Sequence, residues 1–295
     1  MIKNSLFILL SVFIFSCNNQ QERQAQTETT DETATSTASE KPTLTKVWET
    51  EAVMTTAEST LYDKNSNAIF VSNINGHHSE KDGKGFISKM NTDGTVSEQN
   101  WITGLNAPKG LAVMNGKLYV TDIDELVEIN MSDRKISKKY PVPGATFLND
   151  AATDGKKVYF SDSQTGKVHV LDNGKVSTLT EGMDGINGLA FNDKGQLFVL
   201  DGKGLRKYNM DSKDTETIND VVTGGDGLVI IDDDTYIASR WQGEIYLIKD
   251  GKEHLLLDTK AEESNTADID YIEEENLVLV PTFMKNKVVA YRLEY

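Results

Sequence analysis

Cysteine is almost absent from this chain. Cys17 is the only one in 295 residues, so no disulfide can form within the chain. A small domain held together by disulfides is therefore excluded. A chain of this length buries enough apolar surface to fold without cross-links, so an oxidising compartment is still allowed.

Long apolar runs are also scarce. The run from Leu6 to Phe15 is too short to span a bilayer comfortably. Lys3 precedes it, and Ile14–Cys17 resembles the lipobox of bacterial lipoprotein signals. We therefore expect residues 1–17 to be a lipoprotein signal peptide that leaves Cys17 lipidated, which would anchor the protein to a membrane of the bacterial cell envelope. An ordinary signal peptide or a short anchor is the alternative.

Bulky apolar side chains are missing from residues 18–41, which are mostly Gln, Glu, Thr, Ser and Ala. Such a segment cannot offset its ordering entropy by burial, so we interpret it as a flexible linker. Residues 42–295 then form one domain.

Positive charge is in deficit. The formal net charge is −16, and removing residues 1–16 takes away only Lys3 and leaves −17. This balance disfavours nucleic acid and anionic lipid as partners, so contact with a membrane is expected through the N-terminal lipid only. Nothing in the sequence indicates an oligomer, and we expect a monomer.

Two common kinds of active site are missing as well. No G-x-S-x-G turn occurs, and the one cysteine belongs to the signal, so covalent hydrolase mechanisms have no support. The chain contains four histidines. None opens a repeat unit, which argues against a histidine-based metal site.

The chain does contain a repeat of about 40 residues. Six short turns each deliver one residue into an apolar strand, at intervals of 51, 40, 38, 39 and 41 residues. A fixed period of this length indicates a repeat architecture. The residues that open the units are Glu58, Lys109, Asn149, Asn187, Asp226 and Ala267.

Each unit continues with alternating runs typical of strands. Four antiparallel strands per unit predict an all-β, six-bladed β-propeller, because the first strand is apolar and the last polar. The sixth unit ends after its third strand, and a spare strand at Thr43–Trp48 precedes the first. We expect this N-terminal strand to close the ring; a solenoid is the alternative. The first blade carries an insertion, Gly76–Gly85, with His77 and His78 as either a proton-shuttling pair or solvated loop residues.

The opening residues should form a ring near the propeller axis. Two carboxylates and two carboxamides there, from Glu58, Asp226, Asn149 and Asn187, would be costly to bury without compensation. A divalent cation removes the conflict, and an all-oxygen set suits Ca²⁺, Mg²⁺ or Mn²⁺ rather than Zn²⁺. Lys109 would repel such a cation, so we expect its ammonium to turn to solvent or to an acid.

Four turns carry a family resemblance: Glu58-Ser59, Leu148-Asn149-Asp150, Ile186–Phe191 and Gly225–Leu228. They resemble those of the regucalcin, gluconolactonase and luciferin-regenerating family of six-bladed propellers, which is related to paraoxonase and strictosidine synthase-like propellers. The resemblance covers the whole predicted propeller.

The resemblance implies one divalent cation, Ca²⁺ first, held by Glu58, Asn187 and Asp226. It implies that Asn149 contacts substrate or, as in the paraoxonase branch, the metal. It also implies hydrolysis of a lactone or related ester, with Asp226 as the base that activates water. The physical reading agrees, because a cation polarises a carbonyl without a nucleophilic side chain.

Two features depart from the family. Phe147 stands where an arginine often grips sugar acids, which predicts a more apolar pocket. Arg240, followed by Trp241, could supply a substrate-binding cation instead, or it could be a rim arginine paired with local acids. The alternative function is a non-catalytic propeller, similar to NHL-type modules, that binds a peptide, glycan or protein partner.

Overall fold

A computed structural model describes residues 41–295, which form six four-stranded antiparallel sheets. The predicted signal peptide 1–17, including Cys17, and all but the last residue of the predicted linker 18–41 lie outside the described residues. Within 41–295 there is no α-helix, and no helix is long and apolar enough to cross a membrane. The predicted all-β, six-bladed propeller is confirmed.

The first three sheets use consecutive strands. They comprise β2 (Ala57–Asp63), β3 (Ala68–Asn73), β4 (Gly85–Met90) and β5 (Val96–Leu105); β6 (Pro108–Met114), β7 (Lys117–Asp122), β8 (Glu125–Asn130) and β9 (Lys135–Pro141); and β10 (Leu148–Thr153), β11 (Val158–Asp162), β12 (Lys167–Asp172) and β13 (Lys175–Thr180).

The next two sheets repeat this order, and the last is completed by the N-terminal strand. They comprise β14 (Leu189–Phe191), β15 (Leu197–Asp201), β16 (Gly204–Tyr208) and β17 (Thr215–Asn219); β18 (Leu228–Ile230), β19 (Thr235–Arg240), β20 (Glu244–Lys249) and β21 (Lys252–Asp258); and β22 (Asp270–Ile272), β23 (Leu277–Pro281), β24 (Val288–Glu294) and β1 (Thr43–Glu49). Short 3₁₀ turns lie at Lys260–Glu262 and Glu273–Glu275.

The innermost strands differ between the two halves of the ring. In blades 1 to 3 the repeat residue lies inside the strand, whereas in blades 4 to 6 it precedes a strand of only three residues. Pairing nevertheless continues past these strands: the Asn187 N–H donates to the Leu200 carbonyl at 2.9 Å, and the Asp226 N–H donates to the Ser239 carbonyl at 2.8 Å. The repeat residues of blades 4 and 5 are therefore held by irregular pairing with the second strand.

Apolar side chains pack between successive blades in separate clusters. Between blades 4 and 5, for example, Phe198 and Leu200 pack with Tyr236, Ala238 and Ile248, all 3% exposed or less. Burying one such large side chain contributes roughly 1.5–3 kcal/mol. Because each strand alternates, this packing leaves the innermost polar residues directed to the axis.

Strand β1 closes the ring, as predicted. It pairs antiparallel with β24 over Thr43–Glu49. Beyond it, the Thr50 N–H donates to the Val288 carbonyl at 2.9 Å. Trp48 packs on the cluster between blades 6 and 1 and donates from its indole nitrogen to the Thr92 carbonyl at 3.1 Å. The first and last blades are thus joined through one strand.

Removal of β1 is expected to destabilise the whole ring. The free energy of unfolding of a chain that begins at Thr50 should be at least about 3 kcal/mol lower than that of a chain that begins at Pro42. The shorter chain loses a packed tryptophan and one edge strand of blade 6. Urea unfolding monitored by circular dichroism measures the difference. A peptide of residues 42–49 added in trans should restore part of it, and equal stability of the two chains would contradict a closing role.

Candidate active site

A cavity of about 480 Å³ opens at one end of the propeller axis. Five of the six repeat residues line it, and the sixth, Ala267, is fully buried and does not. The lining residues are Glu58, Ile74, His78, Lys109, Phe147, Asn149, Asn187, Asp226, Trp241, Phe283 and Met284. The spacing of the repeat therefore predicted the polar part of one cavity.

Hydroxyl groups of the second strands hold the innermost strands in place. Ser72 accepts from the Ser59 N–H at 2.9 Å, and Ser161 accepts from the Asp150 N–H at 3.0 Å. In blade 5, Ser239 accepts from the Gly227 N–H at 2.8 Å. Each of these backbone groups follows a repeat residue, so the hydroxyls set the position from which the cavity side chains project.

Aspartates at the ends of second strands hold the loops that lead into the cavity. Asp122 accepts from the Asn106 and Ala107 N–H groups, at 2.9 and 2.7 Å, just before β6. Asp162 accepts from the Thr146 and Phe147 N–H groups just before β10. These aspartates therefore stabilise the turns that carry the site.

Glycine follows the repeat residue where neighbouring blades come closest. A Cβ atom at Gly110 would lie 2.5 Å from the Asn149 carbonyl oxygen, and one at Gly188 would lie 2.5 Å from the Asp226 carbonyl oxygen. No side chain fits at such distances. The K-G-L and N-G-L turns therefore need glycine so that adjacent innermost strands can converge on the axis.

The floor of the cavity is formed by carboxylate and amide groups, two of whose oxygens have no hydrogen-bond partner. The Asn187 Nδ2 group donates to Asp226 Oδ1 at 2.6 Å. Glu58 Oε2 and Asn187 Oδ1 are buried and have no hydrogen-bond partner. Asn149 Nδ2 donates to Ser163 Oγ at 3.2 Å. Buried acceptors without donors are expensive, so this arrangement favours a proton on the acids or a ligand with positive charge or hydrogen-bond donors.

The donor set fits a hard divalent cation. Two carboxylates and two carboxamide groups line one cavity, and the two unpartnered oxygens belong to Glu58 and Asn187. Within residues 41–295, no group of three or more His, Cys, Asp or Glu side chains is arranged to hold a metal ion. A site here therefore depends on amide oxygens as well as carboxylates, which Ca²⁺ accepts readily.

A second layer of acids lies in the channel next to the floor and was not predicted. Asp150 accepts from the Ala151 and Leu189 N–H groups, and Ser59 Oγ donates to Asp268 Oδ2 at 2.6 Å. The signal was available in the sequence, because Asp150 follows Asn149 and Asp268 follows Ala267. Both acids directly follow the repeat residues of their blades, so they continue the ring one position further along the strand.

Burial dominates the electrostatics of these acids. It raises the pKa of Asp226 to about 7, although the hydrogen bond from Asn187 opposes the shift. It raises the pKa of Asp268 to about 8. The pKa of Glu58 lies well above its ordinary value through burial and through repulsion by Asp226 and Asp268. Without a cation, the folded protein therefore favours protonated acids at the axis.

Lys109 does not behave as expected. Its side chain is buried, with 1% exposed, and turns neither to solvent nor to an acid. The ammonium donates to the carbonyls of Ala107 at 3.0 Å and His78 at 3.2 Å, and it lies 4.7 Å from the centre of the Phe147 ring. Burial lowers the pKa of Lys109, whereas the charge of Glu58 raises it. Two backbone carbonyls, one of them in the blade 1 insertion, thus accept from the buried ammonium.

The walls of the cavity are apolar and mostly aromatic. Trp241 and Phe283 pack edge to face with ring centres 5.4 Å apart, and His78 packs against Phe147 at 5.4 Å. Met284 is 64% exposed at the cavity. Phe147, which stands where the resembled family often has an arginine, is thus part of an apolar cavity wall. His78 lines the cavity; His77 stacks on it at 4.3 Å but does not line the cavity.

The structure does not bring Arg240 into the cavity. Its guanidinium donates to the carbonyls of Thr223 and Val221, at 3.0 and 2.6 Å, and contacts Glu244 and Tyr246. Its donors are therefore used by the loop before β18 and by β20. This geometry agrees with a rim arginine paired with a local acid. The adjacent Trp241, not Arg240, is the residue of this strand end that reaches the cavity.

Neither a protein-family model nor a curated protein sequence matches this chain. Solved structures match it in fold. A protein whose assignment as a gluconolactonase is provisional has a TM-score of 0.62 at 18% identity, covering 86% of this chain and 92% of that one. An inactive variant of virginiamycin B lyase from Staphylococcus aureus, solved with quinupristin, has a TM-score of 0.59 at 12% identity, covering 86% and 99%. A streptogramin B lyase scores 0.60 at 12% identity, covering 86% and 97%.

These likenesses show the six-bladed propeller fold. At 12% to 18% identity they show only the fold. The enzymes that share this fold are named for different reactions. The chemistry of this chain has to be argued from its own cavity.

The raised pKa values predict an unusual pH dependence of stability. In the unfolded chain the acids ionise near pH 4, at about their unperturbed values, whereas in the folded, cation-free protein Asp226 ionises near pH 7 and Asp268 near pH 8. The folded state binds protons more tightly, so in chelator the free energy of unfolding should fall as pH rises from about 5 to about 8. Urea titrations across this range measure the slope.

The variant Asp226→Asn should flatten that slope, because the amide cannot ionise and still accepts from Asn187. The loss expected from Asp226 alone in the wild type between pH 5 and 8 is about 3 kcal/mol. Stability that is constant or rises between pH 5 and 8 in chelator would contradict the assignment.

Proposed function

We propose that this propeller is a divalent-metal-dependent hydrolase of a lactone or related ester, acting in the axial cavity. The observation that carries the proposal is the pair of buried, unpartnered oxygens of Glu58 and Asn187 beside the Asp226 carboxylate on one cavity floor. An all-oxygen floor under apolar walls suits an ester held by its carbonyl end.

Glu58, Asn149, Asn187 and Asp226 would hold the cation, for which Ca²⁺ is the first choice and Mg²⁺ or Mn²⁺ the others. When bound, such an ion polarises an ester carbonyl and stabilises the charge that develops on its oxygen. Glu58 and Asp226 would supply the two negative charges, and the amide oxygens of the asparagines would supply neutral ligands.

Asp226 would also act as the base. Its carboxylate would take a proton from water as the water oxygen forms a bond to the carbonyl carbon, and the proton would return to the alcohol oxygen as the ester C–O bond breaks. The products are a carboxylic acid and an alcohol, joined in one hydroxy acid when the substrate is a lactone. The Asn187 amide, bonded to Asp226 Oδ1, orients the carboxylate for this step.

The walls would select the substrate. Phe147, Trp241 and Phe283 present rings where a sugar lactone would need hydrogen bonds. Aliphatic and aromatic lactones or esters therefore fit better than aldonolactones.

The function is tested with residues 42–295 and a panel of aliphatic, aromatic and sugar lactones, assayed with Ca²⁺, Mg²⁺, Mn²⁺ or chelator. We expect hydrolysis that depends on the cation, and we expect Ca²⁺ to raise the midpoint of thermal unfolding by mass action. Glu58→Gln and Asp226→Asn should each lower kcat/KM at least about 100-fold.

Asp270→Asn is the matched control. Asp270 is a half-buried acid of blade 6 whose pKa desolvation raises to about 6, and it does not line the cavity. Its removal should leave the Ca²⁺ shift and the hydrolysis in place. Hydrolysis unchanged in both floor variants would place the chemistry elsewhere; a Ca²⁺ shift with no hydrolysis of any lactone would favour a non-catalytic propeller that binds a partner on this face.

We also propose that the protein is lipid-anchored in a bacterial cell envelope through Cys17, on the evidence of the sequence Ile14–Cys17 alone. Expressed in a bacterium, the full chain should partition into the detergent phase and carry a lipidated Cys17 by mass spectrometry. Cys17→Ala should abolish both the lipid and the cleavage before residue 17. A cleaved, unlipidated wild type would indicate an ordinary signal peptide, and an uncleaved wild type a short anchor.

A further inference from the structure

The cavity contains a positive charge that the proposed hydrolysis does not use. The Lys109 side chain is 1% exposed and lines the cavity beside Phe147. Its ammonium donates to two backbone carbonyls, and within residues 41–295 it forms no ion pair with a carboxylate. Buried lysines are normally paired with an acid, so the missing counter-charge needs an explanation.

The hydrogen bonds of Lys109 leave room for a ligand. An ammonium group has three N–H donors, and two of them are used by the Ala107 and His78 carbonyls at 3.0 and 3.2 Å. The Phe147 ring, 4.7 Å away, covers one side of the group. One donor is left, and the residue lines a cavity that can admit a ligand.

Glu58 does not supply the missing partner. Its charge acts on Lys109, yet Glu58 Oε2 is buried and without any hydrogen-bond partner. The Lys109 ammonium and the Glu58 carboxyl group therefore line one cavity without touching. A ligand placed between them could pair with the ammonium, while the carboxylate stays available to a cation.

The surroundings of the ammonium indicate the rest of the ligand. Phe147, Trp241, Phe283 and Met284 line the cavity with apolar surface, and Trp241 and Met284 are exposed large hydrophobic residues, 41% and 64%. Apolar walls bind a hydrocarbon or aromatic group by burying it. A cation within apolar walls selects an apolar molecule with one anionic group.

We propose that the cavity binds an apolar carboxylate, whose carboxylate pairs with the Lys109 ammonium and whose hydrocarbon or ring packs on Phe147, Trp241 and Phe283. The inference goes beyond the proposed hydrolysis, because it requires neither a cation nor turnover. If the proposed hydrolysis takes place, the ring-opened product of an apolar lactone is one such ligand. Lys109 is then the residue that binds the carboxylate formed by ring opening.

The test compares two probes of nearly equal shape, 3-phenylpropionate and 3-phenylpropionamide. Binding to residues 42–295 is measured by calorimetry and by tryptophan fluorescence, with Trp241→Phe used to assign the signal to the cavity. The wild type should bind the carboxylate at least about tenfold more tightly than the amide, the ratio expected for one charge-assisted hydrogen bond. Equal affinities would overturn the proposal.

Substitutions of Lys109 separate charge recognition from structure. Lys109→Arg keeps the charge and the donors and should keep the preference for the carboxylate, whereas Lys109→Met should bind both probes alike. Thermal unfolding confirms that each variant is folded, and if Lys109→Met is not, Lys109→Gln is used in its place. If Lys109→Met lowers the affinity for both probes by the same factor, the preference for the carboxylate does not come from Lys109. Lys109 would then only hold the blade 1 insertion through the His78 carbonyl.

Measurements in chelator and in Ca²⁺ separate this inference from the proposed function. A preference for the carboxylate in chelator that is lost in Lys109→Met supports the inference even if Ca²⁺ has no effect and no lactone is hydrolysed. A preference for the carboxylate that requires Ca²⁺ and persists in Lys109→Met would overturn the inference, because the cation would then be the group that binds the carboxylate.

Discussion

Hydrogen bonds between successive blades hold the polar residues of this protein at one end of the axis. Blades 6 and 1 are joined by a bridge between Ser59 and Asp268, with the Asp268 N–H donating to the Glu58 carbonyl at 2.9 Å. Thr121 Oγ1 donates to the Asn149 carbonyl, and Ser239 Oγ donates to the Ala267 carbonyl at 2.7 Å. These links work only because glycines let the strands converge. The position of a cavity residue such as Glu58 or Asn149 therefore depends on the neighbouring blade as well as on its own.

That convergence creates an electrostatic problem which the rest of the site answers. Glu58, Asp226, Asp150 and Asp268 are all at least 92% buried, and burial raises the pKa of each. Acids confined in this way either hold protons or hold a cation. The ring would be simpler to stabilise with apolar residues on the axis, as Ala267 illustrates. Retaining acids there is a cost in stability that a binding role would explain.

Most of the fold could be predicted from the sequence because strand pairing in a propeller is local. Five of the six sheets are built entirely from neighbouring runs, and the sixth takes only β1 from elsewhere in the sequence. Alternation and turn residues were therefore sufficient to place strands such as β7 (Lys117–Asp122) and β16 (Gly204–Tyr208). The late start of β14 and β18 was not predictable in the same way. It follows from the irregular pairing around Asn187 and Asp226, which depends on contacts with the next blade.

The sequence by itself determined that six units form a ring closed by an N-terminal strand, and that Glu58, Asn149, Asn187 and Asp226 share its centre, because a repeat places equivalent residues at one radius. Only the tertiary structure decided where the long side chains end. Lys109 turns inward because the His78 carbonyl of another blade receives its ammonium, and Arg240 turns away because the Val221 and Thr223 carbonyls hold it. Periodicity specifies the Cα position of a residue, whereas the partner of a flexible cation is set by groups distant in sequence.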